Sequence, residues 1–88
     1  MTFEGACLVE QGVKFAIVIV KPHVLNSPNR ESRRSEFENV FGRIPIILMC
    51  QDFKGTPKYH GRSDIVKFLA SIDVERIPWR RYTLVRNP

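Results

Sequence analysis

Residues 76–82, Arg-Ile-Pro-Trp-Arg-Arg-Tyr, place three guanidinium groups and two aromatic rings within seven positions. Guanidinium groups can neutralise phosphates while rings stack on bases. Arg, Trp and Tyr are also the side chains that protein–protein interfaces favour. A third possibility is plainer: an arginine-studded terminal strand deters pairing between sheet edges, and Trp79 closes a core. Weighing these, we expect a contact surface formed by Arg76, Trp79, Arg80, Arg81 and Tyr82 and extended by Lys58, Tyr59 and Arg62. A protein partner ranks ahead of single-stranded nucleic acid for this surface. The excess charge is a C-terminal feature and bears on partners more than on fold. The chain carries 14 basic and 9 acidic residues, a net +5; residues 1–44 hold +1 of this and residues 45–88 hold +4. From Arg76 onward stand Arg76, Arg80, Arg81 and Arg86, with no acid among them.

Other chemistry has little support. Cys7 and Cys50 lie far apart in sequence with no C-x-x-C, so neither a redox motif nor a zinc knuckle is indicated. Both are expected to pack as small hydrophobes in strands, reduced and slow to react. His23 and His60 lack ligand spacing with Cys50 or Asp52 and read as solvated loop residues. Ser63, His60 and Asp64 have no nucleophile elbow around them, and no phosphate-binding G-x-x-x-x-G-K-[ST] is present. The expectation is therefore a non-enzymatic binding or adaptor module with no cofactor and no metal.

The elements that position these residues must come from one domain, because 88 residues leave room for little else. With 43% hydrophobic and 26% charged residues, the composition is that of an ordinary globular chain. The longest apolar run, Phe15 to Val20, is far short of the roughly 20 residues a membrane helix needs. Met1-Thr2-Phe3-Glu4-Gly5 has no basic start followed by an apolar stretch, so a cytoplasmic protein without a membrane partner is expected. The oligomeric state is left open.

Two β-rich runs, Ala6–Glu10 and Val13–Lys21, flank Gln11-Gly12 and read as a hairpin. The second run is apolar on both faces, the mark of a strand covered on both sides, and Pro22 stops it. His23–Asn29 reads as a loop. A helix is expected over Arg30–Phe41, with Glu31, Arg34 and Glu38 on one flank, an apolar patch of Phe37, Val40 and Phe41, and Gly42 as its stop. Ile44–Cys50 is the strongest strand. A polar loop follows, with a short extended piece at Lys58-Tyr59-His60. Ser63 then offers a helix cap, and Ile65, Phe68, Leu69 and Ile72 fall on one helical stripe. After a connector at Asp73–Pro78, Trp79–Arg86 reads as a final strand.

One stretch resembles a known family. Arg43-Ile44-Pro45-Ile46-Ile47-Leu48, then Gly55, His60-Gly61-Arg62 and a helix over Asp64–Ile72, are similar to the second half of a thioredoxin-like domain. The resemblance covers about thirty residues. It implies a cis Ile-Pro bond opening a strand, then a hairpin and a closing helix. No C-x-x-C precedes the proline, so what it implies is a redox-inactive binding module.

The expected fold is α/β (or α+β): a small mixed β-sheet with two helices, in the order β-β-α-β-α-β. The expected core is Phe15, Ile17, Val18, Ile19, Phe41, Ile46, Leu48, Ile65, Phe68 and Leu69. The pattern does not decide whether the helices share a face, although strands apolar on both sides favour opposite faces.

Overall fold

The computed structural model describes residues 2–83. It is a five-stranded mixed sheet in the order β4-β3-β2-β1-β5, with helices on both faces. β1 (Thr2–Glu10) and β2 (Val13–Ile19) form the expected hairpin, paired from Gly5↔Val18 to Glu10↔Val13. Gln11 and Gly12 both take positive φ, 51° and 79°, as a two-residue turn matching strand twist requires. β1 begins at Thr2 rather than Ala6, because its first residues pair with β5 (Arg80–Thr83) from Thr2↔Thr83 to Gly5↔Arg80.

β2 ends at Ile19, two residues short of the expected Lys21, and Pro22 starts α1 (Pro22–Leu25), one helical turn where a loop was expected. Proline suits the first helical position, since its missing N–H would have no partner there. The helix expected over Arg30–Phe41 is divided into α2 (Arg30–Glu36) and α3 (Glu38–Phe41). Phe37 lies between them and turns its ring into the core at 7% exposure. Gly42 ends α3 with φ +85°. β3 (Ile46–Gln51) then runs parallel to β2, from Ala16↔Ile46 to Ile19↔Met49. β4 (Pro57–His60) returns antiparallel, through a turn in which Asp52 Oδ1 accepts from the N–H groups of Lys54 and Thr56.

α4 (Ser63–Ala70) differs from expectation at its ends. Arg62 rather than Ser63 occupies the capping position, without a side-chain cap, and Ile72 lies beyond the last helical residue. A 3-10 turn at Val74–Arg76 leads into β5. No peptide bond among the described residues is cis, so Pro45 departs from the thioredoxin-like pattern while the strand, hairpin and helix after it are present.

Strand alternation sorts the core into two layers. Phe15, Ile17, Ile47 and Met49 face α4 through Ile65 and Leu69. Ala16, Val18, Ile46, Leu48 and Cys50 face Leu25 of α1 and Phe37. Of the expected core, Ile19, Phe41 and Phe68 are partly rather than fully buried; the rest are buried.

Candidate functional site at the β5 edge

Register determines where each arginine of the C-terminal strand stands. Arg80 lies opposite Gly5 and Arg81 opposite Glu4, so the two guanidinium groups leave opposite faces of the sheet. Both are exposed, as is Arg76 in the 3-10 turn. Arg86 falls outside the described residues. The expected patch is thus divided: Arg80 shares the α1–α3 side with Tyr82, while Arg81 has Glu4, an opposite charge, as its cross-strand partner.

The two rings are committed within the fold. Trp79 packs against the α4-side core, and its indole N–H donates to the carbonyl of Val74 at 3.0 Å. Tyr82 stacks on Phe3 with ring centroids 5.5 Å apart and meets Phe41 edge-on at 4.9 Å. Phe3 in turn meets Phe37 edge-on at 5.0 Å. These rings fasten β5 and β1 to the helices above them, each pair contributing about 0.5–1.5 kcal/mol beyond its buried area. Gly5 makes the close fit possible. A Cβ there would come within 2.7 Å of the Ile17 carbonyl oxygen and within ordinary contact of the rings of Phe3 and Tyr82. Burial, and next the neighbouring Cys7 thiol, push the Tyr82 hydroxyl above its usual pKa.

Tyr59 and Arg62 do not extend this surface. β4 and β5 are the two outer strands of the sheet, separated by four strand spacings, or about 19 Å. Tyr59 also packs into the α4-side core, where burial raises its pKa and its hydroxyl has no hydrogen-bond partner. Arg62 pairs with Asp64 at 2.8 Å. The cysteines are both free, Cys50 buried and Cys7 only partly so. They share the α1–α3 side but sit two strands apart and four residues out of register. That exceeds disulfide reach, since bonded cysteines keep their Cα atoms within about 7 Å.

His60 is not a free loop residue. It ends β4, and its Nε2 donates to Glu31 Oε1 of α2, while Arg34 donates twice to Glu31 Oε2 at 2.9 and 3.1 Å. Arg34 first and His60 second hold the Glu31 carboxyl below the usual carboxylate range. The Glu31–Arg34 contact was legible as an i,i+3 pair; His60, 29 residues away, carried no local signal. Among the described residues no three His, Cys, Asp or Glu side chains converge as a metal site would need. Nor is any helix among them long and apolar enough to cross a membrane.

No protein-family model matches the chain, and no curated protein or solved structure is significantly similar to it.

Proposed function

We propose that this chain is a small non-enzymatic interaction module that contacts an acidic protein segment through the outer edge of β5. One observation carries the reading. Among the described residues β5 pairs with β1 alone, so its other side presents unpaired backbone groups flanked by exposed Arg80 and Arg81. An extended peptide can add to such an edge through main-chain hydrogen bonds, with side-chain contacts setting specificity. Arginines on both faces favour carboxylates on consecutive residues of the incoming strand, whose side chains leave opposite faces. They also repel a second copy of β5, which would bring the same charges together. Single-stranded nucleic acid, the other reading of these residues, loses its stacking platform because Trp79 and Tyr82 are engaged with Val74, Phe3 and Phe41.

Capture of partners from lysate, with and without nuclease, tests this directly. The expected result is a nuclease-resistant protein partner whose capture falls with rising salt and is lost in the Arg80→Ala/Arg81→Ala variant. Exposed charges contribute little to stability, so that variant should fold as the parent does. Nuclease-sensitive capture, or an undiminished partner with the double variant, would overturn the proposal.

A further inference from the structure

A different part of the molecule carries a second site. Beyond the carboxyl end of β2, between that strand end and helices α1 and α2, lies a cleft of about 330 Å³. In α/β sheets the ground outside strand carboxyl ends is where ligands collect, because loops and helix starts converge there. The inner wall of the cleft is apolar, formed by Phe3, Val20, Val24 and the buried ring of Phe37. Its rim is not. Lys21, His23 and Arg33 stand there with a single carboxylate, Glu36.

Arg33 and Glu36 are 3.7 Å apart and both about half exposed, a loose i,i+3 pair of the kind that contributes little. A ligand carboxylate can therefore displace Glu36 at small cost and gain a fork of two parallel N–H donors, a geometry lysine cannot offer. A smaller polar hollow of about 130 Å³ adjoins the cleft, reaching Ser27 and Asn29 and sharing His23, Val24 and Arg33 with it. Arg33 thus stands where an apolar compartment gives way to a polar one. We infer that the cleft binds a small amphipathic carboxylate, its hydrocarbon body against Phe3 and Phe37 and its head group on Arg33. The volume falls at the lower end of the range for small-molecule sites, which suits a short acid rather than a long-chain lipid.

Octanoate and uncharged 1-octanol are the probes, titrated into the ¹⁵N-labelled protein and followed by amide chemical shifts. Octanoate is expected to move Val20, Val24, Arg33 and Phe37 together, with 1-octanol binding at least tenfold more weakly. Arg33→Met keeps an apolar stem without the charge, and should weaken octanoate about ten- to a hundredfold while leaving 1-octanol unchanged. Glu36→Gln removes the competing carboxylate and should tighten octanoate by a few-fold, a gain that general loosening of the helix would not produce. The inference fails if octanoate shifts scatter over the surface or are absent. It fails equally if the two probes bind alike, or if neither variant changes their ratio.

Discussion

On one face of the sheet a single amphipathic helix, α4, lays Ile65 and Leu69 over Phe15, Ile17, Ile47 and Met49. On the other, three short helices cover Ala16, Val18, Ile46 and Leu48, and rings rather than aliphatic chains fill the margin. The continuous helix matches its row of knobs to the sheet and buries Leu69 completely. The broken cover meets the sheet at several angles. Phe3, Phe37, Phe41 and Tyr82 span the uneven gap, with a cleft of about 330 Å³ beside them; the α4 side has a smaller one of about 240 Å³ by Phe15, Ile65 and Phe68. The contrast teaches that a continuous helix packs aliphatic side chains against a sheet, whereas a broken cover is joined to it through rings. The neighbours Tyr59 and His60 divide between the two sides: Tyr59 turns its ring to the α4 side, and His60 joins a polar chain to α2 on the other.

Core truncation gives the largest expected effect. Leu69→Ala should destabilise by about 2–5 kcal/mol in urea denaturation, since a close-packed site cannot collapse around the missing carbons. Phe41→Ala, at a partly exposed ring, should cost about 1–3 kcal/mol, mostly its two ring contacts. Equal losses would mean the two faces are packed alike and would break the comparison.

Tyr59→Phe tests the α4 side with an atom to spare. Its buried hydroxyl has no partner, so removing it should stabilise by about 1 kcal/mol. The sign with pH follows from a raised folded pKa. The wild type keeps its full stability below the ordinary tyrosine value of 10.0 and loses some as pH climbs through the higher folded value. Tyr59→Phe should lack that part of the alkaline loss. A destabilised Tyr59→Phe would show that the hydroxyl is in fact hydrogen-bonded.

The smallest effect belongs to the polar chain on the other face. Glu31→Gln should cost about 0.5–1 kcal/mol at neutral pH, the scale of exposed ion pairs. Here the folded pKa is depressed. The stabilisation is present above the ordinary value of 4.5 and disappears as pH falls through the folded value beneath it. Melting curves of wild type and Glu31→Gln should therefore converge in acid. A gap that persists at low pH would assign the loss to packing rather than charge.

Most of the scaffold was readable where one period dominated a segment. Ile65, Phe68, Leu69 and Ile72 repeat as a helix does, and the unbroken apolar runs of β2 and β3 announce burial from both sides. Mixed signals hid the rest. Gly5 and Glu4 interrupt the apolar pattern of β1, yet both pair with β5. Pro22 is a strand breaker and a helix starter at once, and only the start of α1 reveals the second role. Phe37 fits a continuous helix by spacing, whereas the core draws its ring inward and splits the helix there. The arginines of the candidate site were visible as types, but their arrangement was not. Strand order sends Tyr59 and Arg80 to opposite edges, and register sends Arg80 and Arg81 to opposite faces. Neither is written in any local run of residues.

The parallel pairing of β2 with β3 has a consequence in time. Ala16 and Ile46 meet across a crossover of some thirty residues, and α4 begins more than forty residues after β2 ends. A ribosome adds roughly 5–20 residues each second, while a hairpin closes in about 1–10 μs. The β1–β2 hairpin can therefore form long before its covers exist. Its Ala16–Val18 side receives α1, α2 and α3 next, but Phe15 and Ile17 wait for α4 and stay bare for roughly 2–9 s. The layer beneath α4 is thus the last to be roofed. Through that interval the nascent chain holds out two large apolar side chains on a preformed hairpin, the kind of surface that chaperones and stray strands compete to cover.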